Sequence, residues 1–307
     1  MFNRFLRLIS KITTVRFGLS AMSKIYLLFS LLVLVAFGSC NIINPTEPIP
    51  TYIHLDSFAF TGNPALGTSS HNIKVAYVYL NNQSIGIFDL PATIPVIMDK
   101  TGVILVTPGV YQNGLTGTPV QYPYYRSDTF TLAPNPGQIF TPKLKTSYFD
   151  FTKLATNIDF EGGAGNNPFK PLTGDTLRKT TNTTQVFEGS GSGLIDFQNG
   201  RDTSESTTSS VIVLEPNVDS YIELDYKCTV PFTVGLYAGN VGTSSQYAYL
   251  VGFYPSPNKW TKAYISLRTF VSTYQTSDKN YNILLKAIND AGSNGYVLVD
   301  NIKIVTP

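Results

Sequence analysis

The chain has 307 residues, of which 43% are hydrophobic, 13% aromatic and only 14% charged, against about 25% charged in an ordinary soluble domain. So much apolar content with so little charge excludes global disorder, and the Ala/Glu/Lys/Leu/Arg bias of a coiled coil is absent. The length suits one large or two modest domains with real cores.

Up to residue 40 the chain carries Arg4, Arg7, Lys11, Arg16 and Lys24 and no acid. The apolar run from Ile25 to Phe37 has the length of a signal-peptide core and falls short of the roughly 20 residues of a membrane span. Gly38, Ser39 and Cys40 follow. This arrangement resembles a bacterial lipoprotein signal, although Phe37 stands where Leu is usual. The resemblance implies that residues 1–39 are removed, the true start being Met1 or Met22, and that Cys40 carries the lipid, palmitate included. The remaining chain then holds 17 basic and 20 acidic residues, a net of −3. Such a body has no electrostatic footprint for nucleic acid.

Residues 40–50 form a lipidated tether, since Asn41–Pro50 (NIINPTEPIP) has three prolines in ten residues and reads as an extended spacer. Cys228, the other cysteine, has no partner for a disulfide or a thiolate metal site; it sits in an alternating run and reads as a small buried hydrophobe.

After the tether, short alternating runs recur between Gly, Pro, Asn and Asp clusters, the signature of sandwiches and barrels. The expected fold class is all-β: a small antiparallel β-sandwich over 51–152, then a jelly-roll β-sandwich over 153–307. In the first part strands are expected at Tyr52–Phe60, Lys74–Leu80, Ile85–Phe88, Thr93–Met98, Val103–Val106, Thr129–Leu132 and Gln138–Phe140. The stretch Asn81-Asn82-Gln83-Ser84 is a hairpin turn able to take positive φ. The strings IPTYIHLDSF, VAYVYLNNQSIGIFDLPATIPVI, TPGVYQNG and QYPYY resemble the start of a family of Bacteroidota lipoproteins, and YVYLNNQSIGIFDLPATIPV resembles PEGA-like, Ig-like repeats. The resemblance implies an envelope-anchored β-protein and brings no catalytic motif.

In the second part strands are expected at Asn157–Phe160, Gln185–Glu188, Gly193–Phe197, Ser209–Leu214, Tyr221–Cys228, Phe232–Tyr237, Tyr247–Val251, Trp260–Leu267, Asn282–Ala287 and Gly295–Val305, a number and spacing that suit a jelly roll. The order NIDFEGG, EGSGSGLIDF, NKWTKAYISL and YVLVDNIKIV resembles the galactose-binding-like sandwich of many carbohydrate-binding modules. Fold likeness alone does not transfer ligand binding.

Candidate chemistry is sparse. His54 and His71 come without a G-x-S-x-G elbow or zinc-ligand spacing. Of the carboxylates Asp159, Glu161, Glu188, Asp196, Glu223 and Asp225, the last two share a strand face and read as its solvated side, a poor geometry for glycoside hydrolysis. No catalytic residues are assigned, and the chain reads as a non-enzyme. Glu161 and Asp300 are the candidate ligands of a structural calcium, which needs about six to eight oxygens. Sugars stack on exposed rings beside polar groups, and Tyr237, Tyr247, Tyr249, Tyr254 and Trp260 are candidates for that role. Tyr122, Tyr124 and Tyr125 in QYPYYRSD form a second cluster, and Tyr-rich faces also serve protein interfaces. The reading is therefore an outer-membrane, lipid-anchored recognition protein. It acts as an accessory subunit of an outer-membrane protein complex or, alternatively, as a surface glycan-binding lipoprotein.

Overall fold

The computed structural model describes residues 26–31, 47–114, 117–163, 167–174, 176–198, 202–239, 246–290 and 294–307. Cys40 lies outside them, as do most of the residues read above as signal and tether. Residues 26–31 are helical, and no helix among the described residues is long and apolar enough to cross a membrane. The chain divides into two compact units, Met1–Ile49 and Pro50–Pro307; the second is described below.

Its first ten strands are β1 (Thr51–Leu55), β2 (Phe58–Thr61), β3 (Val75–Leu80), β4 (Gln83–Asp89) and β5 (Ala92–Val96), then β6 (Gly102–Tyr111), β7 (Pro119–Gln121), β8 (Asp128–Leu132), β9 (Ile139–Phe140) and β10 (Leu144–Ser147). They form a sheet β5-β1-β9, a pair β10-β2, and a sheet β4-β3-β6-β7 with β8 also on β6. Most pairings are antiparallel, but β1 with β9 and β2 with β10 run parallel. The β3–β4 hairpin closes as its sequence requires: Asn81 and Asn82 have φ of 49° and 67°, the positive values of a tight two-residue turn.

The later strands are β11 (Lys153–Ile158), β12 (Phe169–Gly174), β13 (Arg178–Thr180), β14 (Ser192–Phe197), β15 (Thr203–Thr208) and β16 (Ile212–Val213). After them come β17 (Tyr221–Cys228), β18 (Phe232–Ala238), β19 (Gln246–Phe253), β20 (Thr261–Ser266), the helix α1 (Arg268–Thr273), β21 (Asn280–Ile288) and β22 (Gly295–Thr306). Two sheets face each other, β13-β14-β22-β17-β20 with β11 on β22, and β12-β15-β21-β18-β19 with β16 on β21. Alternate side chains such as Phe197, Ile222, Leu236, Ile283 and Val299 fill the space between them. The fold is all-β with a jelly-roll sandwich. Strands β12, β13 and β15 differ from the sequence expectation because TSESTT and FKPLTG lack an apolar alternation to read. Gln185–Glu188 is not a strand, and α1 is a helix too short to show a period.

The outer face of the β17–β20–β22 sheet departs most from expectation. Glu223 and Asp225 were expected in water; they are 0% and 1% exposed, roofed by the first ten strands and their loops. The Glu223 carboxylate accepts from the hydroxyls of Tyr122 (2.6 Å) and Tyr148 (2.8 Å) and pairs with Lys262 at 3.1 Å and Lys303 at 3.6 Å. Lys303 donates to the Leu66 carbonyl (2.9 Å), and the Ser70 hydroxyl donates to Asp225 (2.7 Å).

Tyr122, Tyr124 and Tyr125 therefore do not form a partner surface, since each is only 1% exposed. The Tyr122 ring lies 4.9 Å from Tyr264 and 5.0 Å from Tyr221, the Tyr124 hydroxyl donates to the Asp219 carbonyl, and Tyr125 and Tyr264 share a hydrogen bond of 3.0 Å. An aromatic with a polar tip can be buried when the tip finds a partner, and this junction supplies one to every ring of the trio.

Burial pushes the Glu223 carboxyl up, but Lys303, Lys262 and the two tyrosine hydroxyls outweigh it and hold it at about 2 instead of the ordinary 4.5. Its stabilising effect is thus fully present above about pH 4.5 and is lost as the pH falls toward 2. The urea midpoint should drop across that window, and Glu223→Gln should flatten the drop. At neutral pH, Glu223→Gln should cost about 3–5 kcal/mol of unfolding free energy, because two buried cations lose their carboxylate. A cost of about 1 kcal/mol or less, the value of an exposed ion pair, would contradict this account.

Candidate tyrosine-lined binding face

The outer face of the opposite sheet is covered at its centre, where Asn282 and Leu284 are buried, and open along β19. In β18 the residues Phe232, Val234, Leu236 and Ala238 point into the core, so Thr233, Gly235 and Tyr237 point outward. Strand β21 alternates likewise, sending Asn282, Leu284, Lys286 and Ile288 to the outer side.

The strand registers place these residues in rows. Tyr237 lies between Tyr247 of β19 and Asn282 of β21, Gly235 between Tyr249 and Leu284, and Thr233 between Gly252 and Lys286. A β-bulge in β19, between the partners of Val234 and Gly235, inserts one residue and so brings Tyr249 and Gly252, three apart, to the same side. Gly235 is required there, because a Cβ would stand 2.2 Å from the Ala248 carbonyl oxygen.

Three tyrosine rings run along this face. Tyr237 and Tyr247 have centroids 5.1 Å apart with an interplanar angle of 35°, and Tyr247 meets Tyr249 edge-on at 5.9 Å and 78°. Tyr247 is 53% and Tyr249 38% exposed. Tyr249 is held in place by its hydroxyl, which donates to Glu205 of β15 at 2.5 Å, and by Lys286, whose Nζ sits 5.2 Å over its ring. Burial and then the Glu205 carboxylate push the Tyr249 phenol well up; burial, Glu205 and Tyr247 raise Tyr237. Both remain neutral hydroxyls able to donate and accept.

Beside Tyr249 the face deepens into an open cavity of about 690 Å³, lined by Thr233, Tyr249, Tyr254, Lys286, Ile288 and Asp290 among others. This is the size of small-molecule sites, which combine apolar walls with a few polar groups. Tyr254, at 87% exposure, stands at its rim.

The structure thus brings together Tyr237, Tyr247, Tyr249 and Tyr254. Trp260 belongs elsewhere: it precedes β20 of the other sheet, is half-buried, and packs on Phe187 at 5.1 Å. Glu161 and Asp300 are committed to protein donors. Glu161 accepts from the Ser190 N–H and hydroxyl and the Gly191 N–H, and Asp300 accepts from the Ser192 hydroxyl and the Asn301 N–H. Among the described residues no three His, Cys, Asp or Glu side chains gather to hold a metal ion.

Sequence reasoning missed Lys286, Glu205, Asp290 and Thr233. The lone charge inside the apolar run ILLKAI was a signal for Lys286; Glu205 sits in a polar stretch with no pattern to mark it.

No protein-family model matches the chain, and no curated protein matches it. Among solved structures it is similar to the C-terminal family 22 carbohydrate-binding module of Clostridium thermocellum Xyn10B, at 15% identity over 50% of this chain and 94% of that one, with a TM-score of 0.35. It is similar also to the CBM22-2 xylan-binding domain of Paenibacillus barcinonensis Xyn10C, at 11% identity, 50% and 99% coverage and a TM-score of 0.38. A third likeness is the K3 cleaved adhesin domain of Lys-gingipain from Porphyromonas gingivalis, at 12% identity, 51% and 99% coverage and a TM-score of 0.35. Likenesses of this size say nothing about the ligand of this chain.

The close approach at the bulge generates a test. Gly235→Ala should destabilise the protein by about 1–3 kcal/mol, the range for forced overpacking, read as a lower urea midpoint. An unchanged midpoint would show that the bulge moves freely and does not fix the tyrosine row.

Proposed function

We propose that this protein is a non-catalytic glycan-binding lipoprotein, held at the outer membrane by a lipid on Cys40. The observation that carries the glycan reading is the open row of Tyr237, Tyr247 and Tyr249 running into a cavity whose rim is Tyr254. Exposed rings offer flat apolar surface to the C–H face of a sugar, while Lys286, Asp290 and Thr233 supply hydrogen-bonding groups for hydroxyls. The rings are held by packing and by Glu205, so little side-chain entropy is lost on binding.

A non-catalytic role is supported by the employment of several carboxylates in contacts within the protein. Glu223 and Asp225 are buried against Lys262, Glu188 receives the hydroxyl of Thr68 and the amide of Asn301, and Glu205 receives Tyr249. A role as subunit of an outer-membrane assembly has less support, because the Tyr122, Tyr124 and Tyr125 cluster it would use is internal. The lipid anchor is supported by the run from Ile25 to Cys40 and the proline-rich spacer after it.

Titration calorimetry with soluble xylan, galactan and polygalacturonate checks the glycan reading. Binding to at least one is expected, weakened about tenfold or more by Tyr249→Ala or Tyr247→Ala, as befits an anchoring aromatic, with the unfolding midpoint retained. Binding that survives both substitutions would sink the assignment to this face.

A further inference from the structure

A second exposed apolar group lies where the chain enters the fold. Pro50 is pinned there: its carbonyl accepts from the Gly137 N–H at 2.9 Å, and the next residue's hydroxyl, that of Thr51, accepts from the Asn135 N–H at 2.7 Å. The pairing Thr51↔Val96 sets Ile97 opposite Pro50, and the parallel pairing Tyr52↔Ile139 and Ile53↔Phe140 lays β9 along the other side. Ile97, Ile139 and Phe140 are 61%, 63% and 41% exposed. Phe140 is propped by Phe130 at 5.5 Å, beside a shallow cavity of about 330 Å³ that also takes in Ile139, Leu132 and Thr51. By strand alternation Ile97 and Ile139 lie on the side of this sheet that Tyr52 occupies and Phe140 on the side of Ile53. The three thus flank the sheet end at which Pro50 enters, and large apolar side chains left exposed in this way mark a contact surface.

Chain length decides what that surface meets. From Asn41 to Pro50 there are ten residues, three of them proline; the spacer spans about 31 Å as polyproline II and reaches at most about 36 Å fully extended. A lipid on Cys40 would therefore keep this end of the fold within one short tether of the bilayer. We propose that Ile97, Ile139 and Phe140 form a membrane-contacting rim that dips into the lipid headgroup region and orients the fold on the bilayer. An apolar contact of this kind adds to a covalent lipid as a second, weaker attachment. It leaves the tyrosine face, on a sheet of the other half, free for its ligand. The proposal rests on the lipid-anchor reading, and its test separates the two.

The lipidated full chain is reconstituted into phosphatidylethanolamine–phosphatidylglycerol vesicles containing brominated acyl chains, with a bimane fluorophore on Ile139→Cys or, as control, on Val213→Cys, which is similarly exposed (59%). The label at 139 should shift to the blue and be quenched by bromine, and the label at 213 should show neither change. Equal, water-like emission at both positions would overturn the rim. Mass spectrometry of Cys40 reports the anchor separately. If no acyl chain is found, the anchor reading has failed. The rim is then decided by holding the same variants on nickel-lipid vesicles through an N-terminal His tag, where quenching at 139 upholds it and its absence overturns it.

Discussion

Glu223 sits between Lys262 and Lys303 under the hydroxyls of Tyr122 and Tyr148, and the arrangement of the body from Pro50 onward follows from that burial. A charged group without water is tolerated only when opposite charge and hydrogen bonds replace its hydration. The cations come from β20 and β22 of the jelly roll, the tyrosines from loops and short strands of the first half, and the carbonyl that receives Lys303 from Leu66. No single segment could satisfy the cluster. The two halves must close on each other for it to exist, and this makes Pro50–Pro307 one compact unit despite its two hydrophobic cores.

The same closure decides which face of the jelly roll stays accessible. A jelly roll has two outer faces; here one is covered by the polar junction and the other is open along β19. The tyrosines divide accordingly. Tyr122, Tyr125, Tyr148 and Tyr264 have their phenols pushed well up by burial and by Glu223 and serve as neutral donors inside. Tyr237, Tyr247 and Tyr249 stand on the open sheet, where a bulge and one glycine set their spacing. The chemical type is the same, and position relative to the junction gives it two different uses.

Much of this was legible along the chain. Alternation in Tyr221–Cys228, Phe232–Tyr237 and Gly295–Val305 marked the central strands, because successive side chains of a strand point to opposite sides. The Asn81-Asn82 hairpin was legible for a different reason: Asn accepts positive φ at little cost. Three of the rings on the open side of the β19 sheet, Tyr237, Tyr247 and Tyr249, are legible from their place on expected strands. What stayed hidden had no local pattern. Strand β15 is nearly all Ser and Thr, so nothing in it distinguished a sheet strand carrying Glu205 from a polar loop.

By itself the sequence determined the all-β build, the strand positions with clear alternation, the basic and apolar composition of the stretch before Cys40, and a stock of tyrosines available for contact. Only the tertiary structure decided which tyrosines meet water, and that Glu223 and Asp225 are buried, not solvated. The reason is physical. Alternation shows that a strand has a polar side and an apolar side, but what covers the polar side depends on partners far along the chain. Lys303 and Tyr122 become neighbours of Glu223 only after folding, and until they do a carboxylate on a strand looks the same whether it will face solvent or a lysine.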